Sequence, residues 1–301
     1  MQVIKANTMG FCAGVRRAWE MAVNEAQCSG SNSVYTFGPL VHNPRVLADL
    51  SMLGVKTMEN PQGVDTKEYQ ECSLVIRTHG ISPDIEEELR IKGAKIIDAT
   101  CPKVKKSQIK AHELGKAGYG LFLAGEANHA EIEGILGYAK EGASCPLFCV
   151  VVGNACEADE AAQELLKKNE NGVMETAKTA LLGQTTISEE EYRVIGDALK
   201  KYFTNLEIVD TICAATFERQ KALRELLGKA EAVIIAGGKD SANTRRLFSI
   251  AQESGKPCVL IENSGEIPSA FFGYKTIGLS AGASTPDCVV KEIEARLNAK
   301  N

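Results

Sequence analysis

Short apolar runs rich in Val, Ile and Leu alternate along this chain with polar segments that carry apolar positions at helical spacing. The runs predict strands at 34–38, 74–78, 94–98, 120–125, 148–153, 179–183, 206–210, 232–237, 257–261 and 275–279. Between them, segments such as "SPDIEEELRIKG" and "SEEEYRVIGDALKKYF" open on Ser, Pro or acidic residues and then show an apolar stripe. Ser and Pro suit a helix start, and acids there complement the helix dipole, so these segments read as capped amphipathic helices. Strands alternating with helices at this period predict an α/β protein with mostly parallel sheets.

The pattern repeats on a larger scale. "DATCP" at 98–102 and "DTICA" at 210–214 each place a cysteine between an apolar run and a helical stretch, and "MGFCAGVRRAWEMA" near the N-terminus does the same. Cys12, Cys101 and Cys213 therefore each open a helix. Gly38 lies 26 residues after Cys12, and Gly125 and Gly237 lie 24 residues after the other two, each ending an apolar run. Polar loops follow: "GPLVHNPRVLADL", "GEANHAEIEGIL" and "GGKDSANTRRLF". Three more strand ends read "RTHGISPDIEEEL", "GQTTISEEEY" and "LSAGASTPDCVV". The chain is expected to form three similar α/β lobes, 14–101, 102–209 and 210–301, with an N-terminal strand in 1–13 near the centre. Around a pseudo-threefold axis, the three cysteines and six polar helix starts would face one central cavity. Asp98 and Asp210 have no counterpart in the first copy and read as structural.

Composition narrows the partners. Runs such as "AVIIAG" and "CVVVG" are far short of the roughly 20 apolar residues that span a membrane. "MQVIKANTMGFC" lacks the features of a secretory signal, so a cytoplasmic setting is expected, and with it reduced, ligating or catalytic use of the ten cysteines. A net charge of −5 argues against broad nucleic-acid or anionic-membrane binding. A small anion would need a local site.

Cysteines at helix starts are biased toward thiolate, and three thiolates crowded together need a cation. Zinc and an iron–sulfur cluster are the two usual answers. Spacings of 89 and 112 residues give no short zinc knuckle, and three ligands leave one metal position open. The opposing reading is three unrelated core cysteines. Against it stand the polar corners. Three of the four histidines, His42, His79 and His129, sit there, with Asn43, Thr78, Thr185, Thr186, Ser188, Ser241, Asn243, Ser280, Ser284 and Thr285. Helix starts that converge with such donors form an anion site able to hold a diphosphate. Ser188 and Thr285 read as ordinary N-caps, and His112 as bland. Glu131, with Glu126 and Glu133 nearby, is a candidate proton source or a solvated first-turn acid. Of the other cysteines, "CPLFC" followed by Cys156 is a weak second metal pattern, and Cys149 reads as core strand.

Together "GFCAGV", "GPLVHN", "RTHG", "DATCP", "HAEIEG", "QTTIS", "DTICAAT" with "RQ" at 219–220, "DSANTRRL" and "SAGASTPD" resemble the 4-hydroxy-3-methylbut-2-enyl diphosphate reductase family of the non-mevalonate isoprenoid pathway. The motifs run in order from 10 to 287. The resemblance implies a 4Fe–4S cluster held by Cys12, Cys101 and Cys213, whose open iron binds the hydroxyl oxygen of an allylic diphosphate. Two electrons and two protons then remove that hydroxyl as water, giving isopentenyl and dimethylallyl diphosphate. It implies Glu131 as proton source, His129 and Thr185 as its helpers, and His42, His79, Ser241, Asn243 and Ser284 as diphosphate ligands. A ferredoxin or flavodoxin is the implied electron donor. One departure stands out: "DSAN" replaces the family's "NSSN", so that Asp240 and Ala242 stand for an Asn and a Ser. The residues alone leave two rivals, a zinc-dependent hydrolase of a phosphorylated small molecule and a non-catalytic iron–sulfur sensor.

Overall fold

A computed structural model describes residues 1–30, 32–58, 69, 72–141, 147–167 and 177–299. In chain order its elements are β1 (Gln2–Lys5), α1 (Ala13–Cys28), β2 (Ser33–Phe37), α2 (Pro44–Met52), β3 (Val55–Met58), β4 (Cys72–Ile76), α3 (Pro83–Ile91), β5 (Lys95–Asp98), α4 (Pro102–Lys116), β6 (Gly120–Ala124) and α5 (Ala130–Glu141). There follow β7 (Phe148–Val152), α6 (Ala155–Lys167), β8 (Thr179–Gly183), α7 (Glu189–Leu199), β9 (Leu206–Ile208), α8 (Ala214–Leu227), β10 (Ala232–Ala236), α9 (Ala242–Glu253), β11 (Cys258–Ile261), β12 (Thr276–Ala281) and α10 (Asp287–Asn298). All ten strands expected from the apolar runs are present. This is an α/β fold, and every strand pair described below is parallel.

The described residues form two compact units, one of Met1–Thr78 with Ala214–Asn301 and one of His79–Cys213. In the first, β1-β12-β10-β11 is one sheet, with Gln2 opposite Thr276 and Ile235 opposite Ser280. Ile234, Ile277, Leu279 and Ile293 pack on one face of it, while Val233, Ile235, Leu223 from α8 and Leu247 from α9 pack on the other. This double burial is why β10 reads as an unbroken apolar run. The same unit holds β3-β2-β4, with Tyr35 opposite Lys56 and Leu74. β3 escapes the apolar-run criterion because Lys56 and Thr57 of "VKTM" are exposed, which suits a strand that among the described residues pairs with β2 alone.

In the second unit, β7-β6-β8-β9 is the sheet. Its central strands β6 and β8 are buried throughout. Leu121, Leu123, Ile132 and Ile135 with Ala111 and Leu114 fill one side, and Phe122, Ala158, Ile195 and Phe203 the other. α4 crosses α5 so closely that a Cβ on Gly115 would overlap the Ala139 carbonyl. In Gly115→Ala the gain in helix propensity is about 1 kcal/mol. The overlap is with backbone, which cannot rotate away, and overpacking of this kind costs about 1–3 kcal/mol. We expect a net loss of stability, read as a lower urea midpoint at unchanged slope.

Candidate functional site

Parallel α/β sheets collect functional groups beyond the C-terminal ends of their strands, and the polar corners lie there. In the first unit the chain leaves β2 at Gly38 and β10 at Gly237, with φ of 68° and 145°, the region that favours glycine. The loop after β2 carries His42 and then Asn43, whose side chain caps α2 by accepting from Arg45 and Val46 N–H groups. That loop touches the one after β10: a Cβ on Gly238 would overlap the His42 carbonyl. Only glycine admits so close an approach. Ser241 then caps α9, accepting from the Thr244 N–H at 3.4 Å, and Ser284 after β12 donates to the Ser241 hydroxyl at 3.4 Å.

Asn243, in the first turn of α9, is 5% exposed, and neither its Nδ2 nor its Oδ1 has a partner among the described residues. The hydroxyls of Thr244 and Ser280 are likewise buried without partners among the described residues. Each such group costs about 1–3 kcal/mol unless something bonds it, so this cluster is poised for a polar ligand. Thr285 differs from its expected role. Pro286 occupies the N-cap of α10, and the Thr285 hydroxyl donates to the Ala236 carbonyl at 3.0 Å, tying β10 to the neighbouring corner.

Cys12 belongs to the same region. Its backbone N–H donates to the Ala283 carbonyl at 3.1 Å, beside Ser284. It is the N-cap of α1, and its Sγ accepts from the Val15 N–H at 3.4 Å. The approach to it is held by buried Arg219, which donates to the carbonyls of Gly10 at 2.7 Å and Ala215 at 2.8 Å. The "RQ" of 219–220 thus has a physical reason.

The second unit brings together His79, His129, Glu131, Thr185 and Cys213. Glu131 is 1% exposed. Its Oε1 accepts from the Thr185 N–H at 2.6 Å and its Oε2 pairs with the Thr185 hydroxyl at 3.0 Å. Burial pushes its carboxyl up to about 7, outweighing the two Thr185 hydrogen bonds, which pull the other way. Glu126 and Glu133 are exposed, which separates them from Glu131. The Glu131 N–H donates to His129 Nδ1 at 3.2 Å, placing the ring proton of a neutral His129 on Nε2. His79 and His129 meet edge to face with centroids 5.1 Å apart. Ser188 caps α7 as expected, accepting from the Glu191 N–H.

Two glutamines complete this corner without having been singled out by the sequence. Gln184 follows β8. Its Oε1 accepts from the Glu126 N–H and its Nε2 donates to Thr186, both at 3.0 Å, so it locks the loops that carry His129 and Thr185 to each other. Gln108 of α4 is 1% exposed, and its amide, without hydrogen-bond partners among the described residues, packs where Cβ atoms on Gly80 and Gly134 would sit. Their only sequence signals are Gln184's place after a strand end and a polar residue on the buried face of α4.

Cys101 is the N-cap of α4 but makes no side-chain cap bond, and Cys213 directly precedes α8. The Cys213 N–H donates to the Thr185 carbonyl at 2.9 Å, so the residue next to the buried acid also holds a cysteine. Asp98 is structural, as expected. Burial alone would raise its carboxyl, but bonds from Thr100 and the charge of Lys105 at 3.2 Å hold it below the usual range. It thereby shapes the turn into Cys101. Cys12, Cys101 and Cys213 are all half-buried, outside any disulfide and at helix starts, a donor set that fits a metal centre. The second cysteine pattern does not share these features. Burial pushes the Cys149 thiol up to about 11, Cys156 is exposed, and Cys145 lies outside the described residues.

No helix among the described residues is long and apolar enough to cross a membrane. The profile of the LytB protein family matches residues 3–298. A 4-hydroxy-3-methylbut-2-enyl diphosphate reductase of Treponema denticola is 42% identical over 299 residues, 99% of each chain. One from Aquifex aeolicus is 38% identical over 99% of this chain and 96% of its own. Among solved structures, the E-1-hydroxy-2-methyl-but-2-enyl-4-diphosphate reductase from Plasmodium falciparum superposes with a TM-score of 0.85 at 28% identity, covering 99% of this chain and 87% of that one.

Proposed function

The chain belongs to the LytB protein family, and from that premise we propose that it reduces 4-hydroxy-3-methylbut-2-enyl diphosphate to isopentenyl and dimethylallyl diphosphate. The observation that carries the chemistry is the buried Glu131 carboxyl, bonded twice to Thr185 and raised to about 7. Breaking the C4–O bond takes two electrons and two protons. One proton leaves with the oxygen as water, and the other goes to carbon at either end of the allyl fragment, which accounts for two products.

Cys12, Cys101 and Cys213 would hold a 4Fe–4S cluster. When bound, it supplies the electrons and a Lewis-acidic iron.

The protein's own groups handle the anion and the protons. A carboxyl near 7 is substantially protonated at neutral pH and still acidic enough to release its proton, the compromise a general acid needs. The Thr185 hydroxyl on Glu131 Oε2 relays that proton toward the substrate oxygen, and His129 presents Nε2–H as a second donor. His42, Ser241, Asn243 and Ser284 hold the diphosphate at the start of α9, where free N–H groups favour anions, and His79 is the further ligand that the family resemblance implies. Ala242 lacks the hydroxyl of the family's second Ser, but as the first residue of α9 it still offers its N–H. That limits the effect of the departure to affinity.

Protein purified anaerobically is expected to contain iron and acid-labile sulfide at close to four each per chain, and to consume the diphosphate only when a reductant is supplied. Stoichiometric zinc without iron, or reductant-independent phosphate release, would instead establish the hydrolase.

A further inference from the structure

The second unit carries a groove of about 370 Å³ along α4, and none of the residues that hydrogen-bond Glu131 lines it. Lys103, Lys106 and Lys110 line it, spaced so that they share one face of the helix. Between them Ile109 is 48% exposed. The far wall is Val209, Asp210 and Thr211, the segment that runs into Cys213. The groove is thus walled by residues two positions from Cys101 on one side and two from Cys213 on the other.

The charges here are available. Lys103 and Lys106 form no ion pair among the described residues, and Lys110 shares Glu207 at 3.2 Å. Lys105, by contrast, points elsewhere and is engaged by Asp98 and the Tyr138 hydroxyl. Glu113 and Asp210 also line the groove, so its three lysines outnumber its acids by one. In a chain of net charge −5, a row of lysines around an exposed isoleucine is a local reversal of sign. An apolar centre with a charged rim is the anatomy of a transient protein contact, and such a rim sets encounter rate and partner choice.

We propose that this groove is the docking surface for an acidic one-electron carrier protein that reduces the enzyme. The assignment rests on Cys101 and Cys213 as cluster ligands. Each docking passes one electron and oxidises one carrier, so two reduced carriers are consumed per diphosphate, while the two protons come from solvent by way of the enzyme. The lysines supply attraction without touching the substrate.

The test is the double charge reversal Lys103→Glu, Lys106→Glu, assayed with two reductants: a pre-reduced acidic [2Fe–2S] ferredoxin and dithionite-reduced methyl viologen. The KM for the ferredoxin should rise at least about tenfold, and its dependence on ionic strength should flatten. Viologen-driven turnover and iron content should stay within about twofold of wild type. Lys116→Glu, at the end of α4 and outside the groove, should leave both assays unchanged. Unchanged ferredoxin kinetics in the double variant, equal loss with both reductants, or an equal effect of Lys116→Glu would each overturn the docking assignment. Wild-type protein with no iron and no viologen-driven turnover would remove the cluster reading and this proposal with it.

Discussion

Glu131→Gln will retain its fold and its iron but lose about 10²–10⁴ of turnover, the usual worth of a positioned general acid. The amide is nearly isosteric, so its oxygen still accepts from the Thr185 N–H and its NH₂ can donate to the Thr185 hydroxyl. What disappears is the proton. The wild-type enzyme should lose turnover as pH rises through about 7, where the buried carboxyl ionises, and the variant's residual rate should lack that limb. Stability supplies an independent check. Folding raises this carboxyl from 4.5 to about 7, so its contribution is fully present below 4.5 and is lost as pH climbs through 7. The shift is worth about 3 kcal/mol. Glutamine cannot titrate, so the variant should show a flatter stability profile between pH 4.5 and 7. Denaturant midpoints across that range, with turnover measured on the same samples, decide the matter. Full activity in the variant would end the proton-donor assignment.

Cys101→Ser will abolish reductase turnover, by more than about 10²-fold, through loss of iron rather than loss of fold. The thiol makes no capping bond to α4, whereas serine is among the best N-cap residues. The helix therefore starts at least as well in the variant, and the apo-protein should melt within a few degrees of wild-type apo-protein. Even second-layer changes around metal ligands cost 10–100-fold in affinity or activity, and removing a ligand exceeds that. Iron and sulfide content per chain, beside the thermal midpoint, separates the two outcomes. A normal cluster in this variant would contradict the three-cysteine ligand set.

What could be read from the chain, and what could not, follows from sequence distance. β6, β8 and β10 announce themselves because burial on both faces makes them continuously apolar. β3 does not, because Lys56 and Thr57 face solvent. Cysteines at helix starts were legible because a cap is a local feature, and the structure places Cys12 and Cys101 at N-caps. The partners of the polar corners were not. That Glu131 rather than Glu126 or Glu133 is the buried acid depends on Thr185, 54 residues away. Thr285 looked like a cap, but its hydroxyl turns to Ala236, 49 residues back. Arg219 reaches Gly10 across 209 residues, a contact no local pattern encodes.

The pairing of β1 with β12 has a consequence for how the protein is made. Gln2 lies opposite Thr276, so β1 leaves the ribosome long before the β12 it pairs with. At 5–20 residues per second that wait is roughly 15–60 s. The unit running from His79 to Cys213 is contiguous in sequence and can collapse during this time. Cys12, seven residues beyond β1, acquires its Ala283 contact only afterwards. Newborn chains therefore pass through a stage with two thiols placed and the third still waiting. Of the three cysteines, Cys12 is the last to reach its final surroundings.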